Sequence, residues 1–254
     1  MNHEKSVSWA FQVNLRNFPP PYHYWGLAEI AHKRLYLFMT ETYLSATRLI
    51  ESEDPAVVAF AEKAVGNETV PKEKVLKLFY AVRDGVRYDA YLPLGDISSY
   101  SGKEALLMGK GWCVSKAALM AACSRSQGIP ARPGYADVRN HMATPKLTEA
   151  MGTDVFFWHS YCEVLLSGNW VKCTPAFNKS LCDKFALKTL EFDGETDSLF
   201  HPYDRAGNKH MEYLDDRGTY VDVPYEQIIA TFRAEYRNMQ DGIEGDFEAE
   251  ASEI

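Results

Sequence analysis

Helices first and strands afterwards, an α+β arrangement, is the fold class this sequence predicts. Three observations lead there. From Pro55 to Ser126 the apolar residues recur at helical spacing. After Gly128-Ile-Pro130 the pattern changes to alternation, the mark of half-buried strands. Ser167-Gly-Asn169 is then a tight turn that sends one strand back along another.

The elements follow in order. Residues 1–24 read as irregular, because Asn17-Phe-Pro-Pro-Pro-Tyr22 suits neither a helix interior nor a central strand. Trp25 to Ile50 is expected to form one or two buried helices, with Leu27, Ile30, Leu35, Phe38, Tyr43, Leu44 and Leu49 inside. Glu53-Asp-Pro55 opens an amphipathic helix that ends at Gly66-Asn67. A second begins near Pro71, carries Val75, Leu78, Phe79 and Val82 on one stripe, and stops at Gly85. Ser101-Gly-Lys-Glu104 is a capping box for a short helix through Leu107. The helix from Cys113 to about Ser126 is narrow, with Ala117, Ala118, Ala121 and Ala122, and Gly128 closes it.

Strands are expected at Ala131–Val138, Asp154–Leu166 and Trp170–Thr174. In the second, Phe156, Trp158, Cys162, Val164 and Leu166 fall on one face and His159, Tyr161 and Glu163 on the other. Tyr220 to Tyr225 reads as an edge strand, Glu226 to Arg237 as a helix, and acidic 241–254 as a disordered tail. One domain over 1–240 is expected, comprising a helical extension (1–65), a core (66–180) and C-terminal additions (181–240).

Composition excludes several function classes. At 254 residues the chain can bury a sizeable core. A formal net charge of −8 repels nucleic acid and anionic membranes, and no basic run offsets it. No signal peptide or membrane-spanning run is read, and five cysteines without paired spacing suit a reducing cytoplasm. His201, Asp204, His210 and Glu212 match no standard ligand spacing, so no metal or other cofactor is expected.

The chemistry lies in Gly109-Lys-Gly-Trp-Cys113-Val-Ser-Lys and Trp158-His159-Ser-Tyr-Cys-Glu163. Cys113 follows a Gly-bounded turn at a helix start, where unpaired N–H groups and the helix dipole favour a thiolate. His159, on a later strand, is the candidate base that takes the thiol proton and returns it to a leaving group. Cys123, deep in the same helix, has no comparable setting, and Cys162, Cys173 and Cys182 read as core or surface thiols. Trp112 is an aromatic wall beside the nucleophile or plain core. Asp137, Arg139 and His141, with Tyr161 and the aromatics Tyr88, Tyr91 and Tyr100, are candidates to line a substrate cleft.

From about Val75 to Asn178 the chain resembles the transglutaminase-like superfamily. Gly111-Trp-Cys113-Val-Ser-Lys-Ala117-Ala-Leu, then Gly128-Ile-Pro-Ala-Arg132, then His159-Ser-Tyr-Cys-Glu163-Val follow its core motifs in order. The resemblance implies a papain-like fold and acyl transfer through a thioester. Many relatives carry an aspartate on the returning strand that orients the histidine; Thr174 stands at that position here. A hydroxyl can fix the imidazole tautomer but supplies no charge to stabilise imidazolium. Asn178 is a second candidate orienter, Asp137 a further one, and Glu163 reads as a structural acceptor. The expectation is a cysteine-dependent acyl-transfer enzyme (protease, amidase or amide-forming) acting on a peptide, protein or small amide or thioester. The alternatives are a non-catalytic binding module on the same fold and a biosynthetic acyltransferase using a pre-activated donor.

Overall fold

The computed structural model describes residues 40–141, 143–199, 206–207, 211–239 and 241–250, all within one compact unit, 40–254. The expected elements before residue 40, together with His201, Asp204 and His210, lie outside the described residues.

Helix α1 (Pro55–Val65) starts as its sequence dictates: the Asp54 carboxylate accepts the Ala56 N–H at 2.9 Å and Pro55 fills the first position. Helix α2 (Pro71–Gly85) buries the stripe Val75, Leu78, Phe79 and Val82. Strand β1 (Arg87–Tyr88) follows and pairs in parallel with β2 (Lys110–Gly111). Between them lies α3 (Gly102–Met108), whose first turn is capped by Ser101 Oγ accepting the Glu104 N–H at 3.1 Å. Helix α4 (Cys113–Ser126) is buried along almost its whole length, because its alanines let neighbours approach from every side. Gly102 shows how close they come: a Cβ there would sit 2.7 Å from the Leu119 backbone nitrogen.

Strands β3 (Ala131–Asn140), β4 (Val155–Leu166), β5 (Asn169–Cys173) and β6 (Met211–Thr219) form an antiparallel sheet ordered β5-β4-β3-β6. Helix α5 (Pro145–Met151) lies between β3 and β4, α6 (Lys179–Lys184) follows β5, and α7 (Tyr225–Glu235) follows β6. Helix α4 packs on β3 and β4, with α1, α2 and α3 around its other sides. The molecule is α+β, as the change of periodicity predicts.

Three expectations are corrected. Residues 43–50 are irregular rather than helical. The edge strand is Met211–Thr219, not 220–225; it is mostly exposed, so its sequence carries no alternation to detect. The acidic stretch expected to be disordered is packed over 241–250, where Phe247 is buried and opens the short helix α8 (Phe247–Glu250).

Candidate active site

The turn before α4 is built tightly. A Cβ on Gly111 would lie 2.7 Å from Ser115 Oγ and 2.9 Å from the Ala105 methyl, so only glycine fits. Ser115 Oγ accepts the Trp112 N–H at 3.2 Å, and the Trp112 indole donates to Ser99 O at 2.6 Å. The nucleophile position is thereby fixed from both sides, and Cys113 becomes the first residue of the helix.

Strand β4 carries a β-bulge at the other half of the site. Ala136 pairs with His159 and Val138 with Phe156, so Asp137 faces two residues, Phe157 and Trp158. Trp158 takes φ 58°, rare for an aromatic residue. Both bulge N–H groups are satisfied: Phe157 donates to the Tyr236 hydroxyl at 2.8 Å and Trp158 to Asp137 Oδ1 at 3.0 Å. Arg217 grips the same carboxylate with Nε at 2.5 Å and Nη2 at 2.7 Å, while its guanidinium lies 4.6 Å from the Trp158 ring centre. This bulge breaks the simple alternation expected for 156–166, and sequence pattern alone gave no sign of it.

Cys113 and His159 line one cavity of about 30 Å³, together with Tyr88, Ala90, Leu94, Trp112, Leu147, Met151, Phe156, Phe157, Tyr236 and Met239. Everything around the two is apolar or aromatic, and no carboxylate is among the lining residues. One water needs about 10–15 Å³, so the space holds roughly two waters and no peptide. Access is correspondingly small: Cys113 is 5 % and His159 3 % exposed. Burial pushes the Cys113 thiol up to about 12, opposed by the backbone N–H groups of Ser160, Val114 and Cys113 itself. The depressed pKa expected from the helix start is therefore absent in this closed arrangement, where desolvation outweighs the N–H groups.

Other expected site residues are spread more widely. Trp112 lines the cavity. Thr174 is buried outside it, and its hydroxyl makes no hydrogen bond among the described residues. Asn178 stands just before the first residue of α6 without capping it; its amide oxygen accepts the Tyr88 N–H at 2.9 Å and its nitrogen donates to Ser180 at 2.6 Å. Asp137 supports the bulge instead of facing the cleft. Arg139 and His141 lie together near Glu212, at 3.7 and 3.6 Å, away from the cavity. Tyr161 covers Gly134, where a Cβ would lie 2.3 Å from its ring, and borders a separate surface groove with Lys172 and Tyr213. Glu163 is structural: it accepts from Arg132 at 2.7 Å, and that guanidinium stacks 4.1 Å from the Trp170 ring centre.

Sequence reasoning missed Arg217, Tyr236 and Met239. Each comes from the C-terminal third, where neither motif nor periodicity marks it.

Among the described residues, no group of three or more His, Cys, Asp or Glu side chains is placed to hold a metal, and no helix is long and apolar enough to cross a membrane. None of the five cysteines, all of them described residues, forms a disulfide.

Residues 58–175 match the family described as the transglutaminase-like superfamily. Among solved structures, a candidate cysteine protease from Cytophaga hutchinsonii is similar at 22 % identity and a TM-score of 0.44, covering 72 % of this chain and 47 % of its own. A candidate protease from Parabacteroides distasonis is similar at 17 % identity and a TM-score of 0.36, covering 50 % of this chain and 24 % of its own. The chain thus spans less than half the length of either. No curated protein matches it. The matched residues, 58–175, carry Cys113, His159 and Thr174, so the segment that holds the candidate site is the part of the chain similar to the transglutaminase-like superfamily.

Proposed function

We propose that this protein is a cysteine-dependent acyl-transfer enzyme that cleaves or forms an amide bond through a thioester on Cys113. The observation that carries the reading is the shared cavity: the first residue of α4 and the histidine after the β4 bulge both line it, among apolar and aromatic side chains.

The steps follow from these groups. Cys113 Sγ attacks the acyl carbon while its proton passes to His159. Charge builds on the carbonyl oxygen beside the N–H groups at the start of α4, which can stabilise it. The tetrahedral intermediate expels the leaving amine, alkoxide or thiolate, which takes the proton from His159. Water or an amine, giving a proton back to His159, then attacks the thioester and restores the thiol. His159 needs no carboxylate for this sequence, but without one its cation is less favoured.

The apolar lining supports an acyl group without charge.

The test is acylation by uncharged p-nitrophenyl esters, with mass mapping of the product. One acyl group on Cys113, absent from Cys113→Ala, is expected. No adduct on any thiol in folded protein would favour the binding-module alternative.

A further inference from the structure

The chain's own C-terminal stretch borders the cavity beside Cys113 and is held there by main-chain and aromatic contacts. Tyr236 and Met239 supply part of the cavity wall. Met239 O accepts the Leu94 N–H at 3.2 Å, and the Ile243 N–H donates to Tyr91 O at 3.0 Å. The stretch therefore runs in main-chain contact with the loop whose Ala90 and Leu94 also line the cavity. Gly242 makes this approach possible, with φ +84° and a hypothetical Cβ only 2.8 Å from Tyr91 O.

Beyond it Phe247 is buried among three rings, with centroids 5.6 Å from Tyr88, 5.2 Å from Tyr91 and 6.3 Å from Phe185. Tyr88 is common to the Phe247 pocket and the Cys113 cavity, so the two share that residue as a wall. Cations surround this aromatic pocket. Glu250 meets Lys146 at 3.0 Å and the Tyr91 hydroxyl at 2.7 Å. Glu248 meets Lys184 at 3.4 Å and Ser180 Oγ at 3.0 Å. Arg87 stands 3.9 Å from both Asp246 and Glu248. Each exposed pair is individually weak, but together they set the charge of what fits.

We propose that the groove formed by Tyr88, Tyr91, Phe185, Arg87, Lys146 and Lys184 binds an acidic peptide segment carrying an aromatic residue, and that the C-terminal stretch is its resident occupant, blocking Cys113. Its functional meaning rests on the reading of Cys113 as nucleophile. A peptide substrate or partner of matching chemistry gains the groove by displacing the stretch, and the cavity opens as Met239 withdraws.

Two full-length variants test this with every groove residue unchanged. Gly242→Val puts a side chain against Tyr91 O, and Phe247→Ala removes the anchor. Hydrogen exchange over 241–250 reports release of the stretch, and iodoacetamide labelling mapped to Cys113 reports access. Release with labelling about tenfold faster or more is expected, since access then no longer waits on local opening. Added peptide of residues 241–250 should restore protection, whereas the same peptide lacking Phe, or with its acids changed to Lys, should not. Release with an unchanged Cys113 rate in protein that still binds no peptide would overturn the proposal. So would equal protection by the control peptides, or unchanged exchange in both variants, since Gly242 and Phe247 would then not hold the stretch. Saturable binding of the acidic peptide to a released variant whose Cys113 stays inert would support the groove and overturn the nucleophile.

Discussion

Asp137 accepts the backbone N–H of Trp158 at 3.0 Å, one residue before His159 on the bulged strand. Through this bond a carboxylate that never reaches the cavity sets the direction in which the histidine leaves β4.

The first prediction concerns that support. Asp137→Ala leaves the Trp158 N–H and Arg217 without their acceptor, and a loss of about 1–3 kcal/mol in stability is expected after allowing for the partly exposed Arg217. Asp137→Asn keeps an acceptor for Trp158 and should lose less. Because Asp137 acts through His159, the pH profile of Cys113 alkylation should change in Asp137→Ala and recover largely in Asp137→Asn. Equal profiles in all three proteins would make Asp137 merely structural.

Thr174 gives the second. Its hydroxyl is buried and makes no hydrogen bond among the described residues, so it bears an uncompensated desolvation cost. Thr174→Val should be as stable as the parent or more so, by about 1 kcal/mol, with Cys113 labelling unchanged. A clear loss of labelling in folded Thr174→Val would return Thr174 to the role of orienting His159.

A third follows from Lys116, which is fully buried one turn into α4 and donates to Arg83 O at 2.9 Å and Val86 O at 2.5 Å. Burial pushes its pKa down to about 7. Above that pH the unfolded chain binds more protons at this site than the folded one, so stability rises with pH. Denaturation should show a gain between about pH 6.5 and 7.5, before the unfolded chain's thiols, with an ordinary pKa of about 8.5, ionise appreciably. Lys116→Met should flatten it; an equal gain in that variant would place the source elsewhere.

The fourth links the tail to the thiol. Desolvation is the main reason the Cys113 thiol stands near 12, and the opposing N–H groups belong to α4 and β4, not to the tail. Releasing the tail in Gly242→Val should therefore lower the pH midpoint of Cys113 alkylation. A faster rate with an unmoved midpoint would mean that access alone had changed.

How far the sequence could be read depends on where the information sits. The start and end of α4 were legible because Gly111, Gly128 and the alanine-rich stretch act locally on the backbone. The α2 stripe was legible for the same reason. Cys113 and His159 stood out because order and residue type mark them. The bulge was not legible, since Trp158 adopts its positive φ only when Asp137, Arg217 and Tyr236 arrive from three other elements. Strand β6 escaped because an exposed edge strand needs no alternation. The tail escaped because its acidic composition outweighs the single residue that anchors it, Phe247.

The central claim, that Cys113 is the reactive group, is tested most directly by substoichiometric iodoacetamide on the folded, full-length chain near neutral pH, followed by peptide mapping. All five thiols are buried, so exposure alone favours none strongly, with Cys113 at 5 % and Cys182 at 2 %. The account predicts that Cys113 carries most of the label, and that His159→Ala reduces it while the fold persists. Dominant labelling of Cys123, Cys162, Cys173 or Cys182 in folded protein would contradict it.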